Sequence, residues 1–596
     1  MVGWQIRDWL QAYAGGETPL NLLSQLLASL STEDAAWISL IDQEQLIRQI
    51  TALEARWSVA PNNAQFPLFG VPFAVKDNID VAGLPTTAAC PEFEYSPTSN
   101  AFVVERLIQA GAIVIGKTNL DQFATGLVGV RSPYGAVPNA FNPDYVSGGS
   151  SAGSAVVVAR GLVPFALGTD TAGSGRVPAG LNNIVGLKPT RGAFSNTGVV
   201  PACRSLDCVS VFATTVADAQ TVYRAALGFD AADGFSRAAP AVAQALPAKP
   251  RFGIPLQAEF YGDSQSVAAW QDSLEKITAF GATCIPLDFA LFDQVAALLY
   301  DGPWVAERYA AIREFAETKP EAIHPVVRDI IFRAEQFSAA DAFAAMYRLG
   351  DLKRQADALL ASVDALLVPT APTHFTIAAV EADPIRLNSQ FGKYTNFVNL
   401  LDWSALSVPA GFRADGLPFG VTLIGPAWAE TALSDFGARW QAYAALPRGA
   451  TGLPFIPDAT GNPGPAAAGL VRLAVVGAHL SGMPLNRELT ERGAVLVETT
   501  TTTSAYRLYA LGGTVPPKPG LARKADGAPI QVELWDLPLA DFASFVVGVP
   551  APLGIGTLEL AGGRQVKGFI CEPYALADAQ DITEYGGWRA YRAAVS

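Results

Sequence analysis

Two serines set in glycine-rich turns are the residues of this chain best suited to covalent chemistry. Ser150 lies in Ser147-Gly148-Gly149-Ser150-Ser151-Ala152-Gly153-Ser154, and Ser174 in Gly168-Thr169-Asp170-Thr171-Ala172-Gly173-Ser174-Gly175-Arg176, 24 positions further on. Glycine lets the backbone approach a bound atom closely and aim successive peptide N–H groups at it. A serine beside such groups can attack a carbonyl carbon while they hold the oxyanion that develops. Gly/Ser loops also serve as plain surface linkers. Here residues 155–167 between the two turns are too apolar for a mobile tether, so the loops sit at the ends of buried elements.

A nucleophilic serine needs a base. The chain has three histidines, His324, His374 and His479, the first followed by a proline and the last far from both serines in sequence. Gly149-Ser150-Ser151-Ala152-Gly153 fits the G-x-S-x-G nucleophile elbow and nominates Ser151. Yet Asn142-Pro143-Asp144-Tyr145 ahead of it reads as a turn, not as the strand an elbow requires. Lys76 offers another base. It ends the apolar run Val71-Pro72-Phe73-Ala74-Val75, where desolvation would favour the neutral amine. A neutral amine can take a proton relayed from one serine through the other. A lone lysine at a strand end is also often a snorkelling surface residue. Residues 111–118, Gly-Ala-Ile-Val-Ile-Gly-Lys-Thr, match the phosphate-loop pattern letter for letter. A helix precedes them and Ala112-Ile113-Val114-Ile115 is itself strand-like, which places Lys117 in the turn after that strand and disfavours nucleotide binding.

The elements that must position these residues alternate. Apolar periodicity predicts helices over most of residues 6–57, then strands at 71–75, 112–115, 165–168, 365–368 and 420–424. Helices are expected at 101–110, 152–160, 215–227, 264–280, 303–318, 338–362 and 430–445. Strand and helix alternating over so long a span predict an α/β domain with a large, mostly buried sheet. Residues 447–469 are rich in Pro and Gly and read as a linker between an N-terminal domain, 1–446 (a helical segment to about 60, then a core over 61–446), and a smaller domain, 470–596. That second domain is expected to be β-rich, with strands near 473–476, 495–500, 506–511, 530–537 and 568–571.

Composition narrows the function classes. The 596 residues carry 41 Lys+Arg against 55 Asp+Glu, a net charge of −14, which argues against a nucleic-acid or anionic-membrane surface. Half the residues are hydrophobic and 16% charged, so a large core is expected and bulk disorder is not. Five scattered cysteines fit a reducing compartment rather than a disulfide framework, and Cys203 and Cys208 have the wrong spacing for zinc. No apolar leader or run of membrane-spanning length is visible, and the expected location is the cytoplasm.

Residues 147–190, ending Ile184-Val185-Gly186-Leu187-Lys188-Pro189-Thr190, together with Pro72-Phe73-Ala74-Val75-Lys76-Asp77, resemble the amidase signature family, over about residues 20–445. The resemblance implies an amidase-signature fold, a large mixed sheet covered by helices, and a Ser-cis-Ser-Lys triad. Ser174 would be the acylated nucleophile, Ser150 the bridging serine after a cis peptide, and Lys76 the base. The backbone N–H groups of Thr171, Ala172, Gly173 and Ser174 would form the oxyanion hole, with Asp170 and Arg176 paired to hold the turn. The chain departs from the family's usual pattern at Ala152 and Ala172, where glycine is common, and at Gly175, where isoleucine is.

Asp301 can cap a helix entered by Pro303, which would place Tyr300 ahead of the cap and Arg308 in the second turn. Unaided, Arg308 reads as one partner of a solvated ion pair. But Tyr300 to Tyr309, with Pro201 to Cys208 and the second domain, is similar to the allophanate hydrolase branch of the family. There the residues matching Tyr300 and Arg308 hold the substrate's carboxylate, for which a guanidinium fork is suited. The implied activity is hydrolysis of allophanate, urea-1-carboxylate, in urea or s-triazine nitrogen catabolism. Residues 470–596 are similar to that branch's C-terminal domain, a small α+β fold like γ-glutamyl cyclotransferases, in which His479 matches a residue assigned to a second, decarboxylating step. Alone, one histidine after a β-run is as well explained as a core or turn residue. No metal or cofactor is expected. The expected partners are a small anionic amide, a second copy of the chain in a homodimer, and a biotin-dependent urea carboxylase or other enzyme of the same pathway. Two rival readings are another amidase, such as the glutaminase component of a tRNA-dependent amidotransferase, and a catalytically inactive assembly protein.

Overall fold

The computed structural model describes residues 1–59, 65–240, 245–247, 249–456, 470–561 and 564–595. The chain forms two compact units, Met1–Ala239 with Gln244–Ile456, and Pro240–Ala243 with Pro457–Ser596. The first is built on an eleven-stranded sheet. Its strands are β1 (Trp37–Leu40), β2 (Pro72–Lys76), β3 (Ile113–Thr118), β4 (Phe165–Asp170), β5 (Val185–Lys188), β6 (Cys208–Ala213), β7 (Arg251–Pro255), β8 (Thr283–Leu287), β9 (Ala365–Pro369), β10 (Ser404–Phe412) and β11 (Pro418–Gly425). They lie in the order β1-β3-β2-β4-β6-β5-β10-β11-β9-β7-β8. The sheet is mixed: β2 is parallel to both β3 and β4, whereas β6 is antiparallel to β4 and β5.

Parallel strands covered on both faces read as continuous apolar runs rather than as alternation. Accordingly β2, β3 and β4 are buried at every position. The helix packed beside them, α1 (Ala152–Ala159), has the sequence Ala-Gly-Ser-Ala-Val-Val-Val-Ala and no exposed residue. A helix apolar all round belongs in a core. β2, β4 and α1 therefore form a rigid block, and the two glycine-rich turns are its ends.

Two details differ from the sequence reading. Lys117 lies within β3, not in a turn after it, because Ile113–Thr118 continues as one strand with β2 on one side and β1 on the other. Its ammonium is fully buried on Asp77 (3.0 Å) and Thr86 Oγ1 (3.0 Å), which leaves no phosphate cradle. Residues 447–456, expected in the linker, belong to the first unit: Arg448 is buried, with Nη1 donating to the Gly3 carbonyl at 3.0 Å, and the Ala450 N–H bonds Ala159. The rest of that expected linker, 457–469, lies outside the described residues.

The second unit holds a five-stranded sheet and a three-stranded one. Its strands are β12 (Leu470–Val475), β13 (Val495–Thr501), β14 (Tyr506–Ala510), β15 (Pro519–Arg523), β16 (Gln531–Pro538), β17 (Leu553–Glu559), β18 (Gln565–Cys571) and β19 (Gln580–Asp581). The orders are β13-β16-β12-β18-β17 and β15-β14-β19, around one core that includes Leu473, Leu534, Trp535 and Phe569. Among the described residues no helix is long and apolar enough to cross a membrane.

Candidate active site

Lys76 ends β2 with no exposed surface. Its Nζ donates to Ser150 Oγ at 2.8 Å and to Thr169 Oγ1 at 2.7 Å. The contact with Thr169 follows from strand order, since β2 and β4 are parallel neighbours. Ser150 stands in the turn just ahead of α1, after a cis Gly149–Ser150 peptide bond, and its carbonyl accepts the Asp121 N–H at 3.0 Å. Burial pushes the Lys76 pKa down to about 7, against the pull of Asp121, Asp207 and Asp170; Arg308 adds a small push in the same direction as burial. An amine so poised is half neutral near physiological pH, as a general base requires.

Ser174 follows β4 in the second glycine-rich turn and is 3% exposed. Its hydroxyl makes no hydrogen bond among the described residues. The turn is held from within. Arg176 donates to both oxygens of Asp170, Nε to Oδ2 and Nη2 to Oδ1, each at 2.9 Å, and neither side chain has exposed surface. Asp170 also accepts the Gly173 N–H at 3.0 Å and the Gly175 N–H at 2.9 Å. The arginine holds the Asp170 carboxyl below its usual range although burial opposes this. Gly173 has φ +140° and its missing side chain would strike Thr395, so no other residue fits there.

The four N–H groups expected to form the oxyanion hole are not equivalent. Of Thr171, Ala172, Gly173 and Ser174, the Gly173 N–H is already spent on Asp170. Among the described residues the N–H groups of Thr171, Ala172 and Ser174 have no such partner. A second buried carboxylate steadies the same turn. Asp207, just before β6, accepts from Thr171 Oγ1 (2.5 Å), Cys203 N–H (3.1 Å) and Ala202 N–H (2.8 Å). Burial raises its pKa to about 6 in spite of those donors.

Tyr300 and Arg308 come from successive helices, α2 (Ala290–Tyr300) and α3 (Val305–Thr318). Asp301 closes α2, its N–H bonding the Ala297 carbonyl, rather than capping α3, which starts after Trp304; Arg308 thus sits in the first turn of α3. It is buried to 2% exposure, not solvated. Nη2 donates to the Tyr300 hydroxyl at 3.3 Å and Nη1 to Thr125 Oγ1 at 2.9 Å, with the guanidinium 5.4 Å from the tyrosine ring centre. Ser151, the rival nucleophile, is closed off: its hydroxyl donates to the Thr169 carbonyl at 3.1 Å and accepts the Thr169 N–H at 3.3 Å.

The structure thus brings Lys76 to Ser150, and Tyr300 to Arg308. It adds Thr169, Asp121 and Asp207, which the sequence reading missed. No local signal marks their roles, because the partners that matter to the site, Lys76 for Thr169, Ser150 for Asp121 and Thr171 for Asp207, are brought to them by the fold.

His479 lies in the other unit, past the end of β12. Its ring stacks on Phe569 (5.1 Å, 17° between planes) and meets Phe545 edge-on at 5.2 Å. Nε2 is 3.1 Å from Glu488, and burial depresses the imidazole pKa. No group of ligating side chains able to hold a metal ion is found among the described residues.

Fold and comparison together define a member of the amidase family. The Amidase family model matches residues 22–433, and the chain belongs to that family. Residues 471–593 match the allophanate hydrolase C-terminal domain. A solved allophanate hydrolase from Kluyveromyces lactis superposes with a TM-score of 0.82 at 45% identity, covering 100% of each chain. The urea amidolyase of Saccharomyces cerevisiae is 47% identical over 613 residues, 99% of this chain and 33% of its own length, so this chain spans about a third of that relative. A more distant likeness is the peptide amidase of Stenotrophomonas maltophilia, 27% identical with a TM-score of 0.62 over 74% of this chain and 96% of the other.

Proposed function

We propose that this chain hydrolyses allophanate to ammonia and carbon dioxide through an acyl-enzyme on Ser174. The observation that carries the substrate is Arg308, a buried guanidinium bonded to Tyr300 and without a carboxylate partner among the described residues. A buried charge needs an opposite charge, and a small substrate carboxylate supplies it. The full-length likeness to an allophanate hydrolase supports the same choice.

In this reading neutral Lys76 takes the proton of Ser150 as Ser150 takes that of Ser174. Ser174 Oγ then adds to the terminal amide carbonyl, and the N–H groups of Thr171, Ala172 and Ser174 hold the oxyanion. The C–N bond breaks as the proton returns through Ser150 to the leaving nitrogen, releasing ammonia. Water attacks the acyl-enzyme by the same relay and frees N-carboxycarbamate, which yields a second ammonia and two carbon dioxide. We assign that last step to His479, whose Nε2 is fixed on Glu488 while its side chain keeps 13% exposure. As partners we propose a second copy of the chain and a biotin-dependent urea carboxylase that makes the substrate. The longer urea amidolyase relatives support a link to urea breakdown. Five free cysteines fit a cytoplasmic setting.

The test is ammonia release by the purified full chain from allophanate, without added metal, nucleotide or biotin. Turnover is expected. Equal or faster turnover of simple aliphatic amides would overturn the substrate assignment.

A further inference from the structure

Arg308 is not the one buried guanidinium near this site. Arg131 has 1% exposure, and among the described residues neither arginine has a carboxylate within 4.0 Å. Both meet at Thr125: Arg131 Nη1 donates to its carbonyl at 3.0 Å, while Arg308 Nη1 donates to its hydroxyl at 2.9 Å. The other Arg131 nitrogen, Nη2, donates to the Pro384 carbonyl at 2.6 Å, and the Nε of each arginine is buried without a partner. Of the carboxylates whose charges act on the pair, Asp121 is occupied: Oδ2 accepts the N–H groups of Val128 (3.2 Å) and Gly129 (3.0 Å), and Oδ1 that of Arg131 (3.0 Å). Asp207 and Glu307, which act on Arg308, are likewise taken up, Asp207 by Thr171, Ala202 and Cys203 and Glu307 by Ser205.

These bonds close residues 121–131 into a loop that ties to both parts of the site. The Gln122 N–H bonds the Arg131 carbonyl at 2.8 Å and knots the loop's ends together. On one side the Asp121 N–H holds the Ser150 carbonyl; on the other, Thr125 holds Arg308. Two buried positive charges sharing one threonine, with no carboxylate within 4.0 Å and the nearby ones held by other donors, make a region that favours an anion.

We propose that Arg131 is a positioning residue for anion selectivity: through Thr125 it fixes the Arg308 fork, and its charge adds to the field that prefers a carboxylate-bearing amide to a neutral one. This rests on the reading of Arg308 as the carboxylate holder. Arg131 touches no reacting atom, so its effect falls on selectivity rather than on bond breaking.

The experiment compares wild type, Arg131→Gln, Arg131→Lys and Arg308→Lys on allophanate and on biuret, which carries an amide where allophanate carries the carboxylate. Inhibition by malonate is measured for each against whichever amide is turned over. Arg131→Gln is expected to raise the allophanate KM and the malonate inhibition constant by about 10-fold or more, with kcat and the biuret rate within about 3-fold. Arg131→Lys, which keeps the charge but loses the fork, is expected to fall between. Equal loss on both amides, or unchanged malonate inhibition in a folded Arg131→Gln protein, would overturn the proposal. If malonate inhibition also ignores Arg308→Lys, the carboxylate reading of Arg308 has failed instead, and with it the basis for Arg131. If Arg131→Gln does not fold, the Lys variant's allophanate-to-biuret ratio decides: a ratio equal to wild type refutes the role, and a reduced one supports it.

Discussion

Lys76 ties catalysis to stability through one proton. With its pKa lowered from 10.5 to about 7, kcat/KM is expected to rise with pH through about 7 as the amine becomes neutral. A profile flat from pH 6 to 8 would contradict a lysine base. The linkage has a definite sign. Between about 7 and 10.5 the unfolded chain binds more protons at this lysine than the folded one, so this group's contribution to stability improves as pH rises through that window. Below about 7 the full cost of burying the ammonium is present. Lys76→Met is therefore expected to abolish turnover yet to melt no lower than wild type at pH 6 by calorimetry. A markedly lower Tm would show that the bonds to Ser150 and Thr169 outweigh desolvation.

At the scale of elements, the second glycine-rich turn works because a strand, a clamp and a facing strand agree on its shape. Asp170 ends β4, Arg176 returns to it, and Ser210 of β6 packs against Gly175. A Cβ at Gly175 would stand 2.5 Å from Ser210 Cβ and 3.1 Å from Asp170 Cβ. This accounts for a glycine at this position. Gly175→Ala is expected to cost about 1–3 kcal/mol of stability and to lower activity by disturbing the clamp. Ser210→Gly in the same chain should recover a good part of both, and additive losses in the double variant would refute the packing argument. The sequence showed this turn plainly, since glycines, Asp170 and Arg176 are local and chemically distinctive. It hid β10, Ser404–Phe412, whose apolar run is interrupted by Pro409 and Gly411. In the fold they mark a register shift against β11 inside a central strand. β6 was hidden differently: Cys208–Ala213 is a short apolar run that becomes a strand through β4 and β5, both distant in sequence.

At the scale of the whole molecule, much of what was legible came from motifs near 76, 150 and 174, and much of what was not came from long-range pairing. Arg308 read as a solvated helix residue because its partners, Thr125 and Tyr300, are set by how the loop at 121–131 meets α2 and α3. Asp121 and Arg131 bond within their own loop in no recognisable motif, and only the fold brings that loop to Ser150 and Arg308. The second unit poses its own question. If His479 performs the decarboxylating step, His479→Asn in the full chain should lower prompt ammonia per allophanate from two toward one while leaving the first release within about 3-fold; unchanged stoichiometry would make the ring a core residue held by Phe545 and Phe569. The central claim, an allophanate-cleaving nucleophile at Ser174 rather than at its rival, is tested most directly by initial rates of ammonia release from allophanate for wild type, Ser174→Ala and Ser151→Ala. Wild type should turn over, Ser174→Ala should fall by about 10³-fold or more, and Ser151→Ala should stay within about 10-fold of wild type. A dead Ser151→Ala beside an active Ser174→Ala, or a wild type inert toward allophanate, would contradict the account.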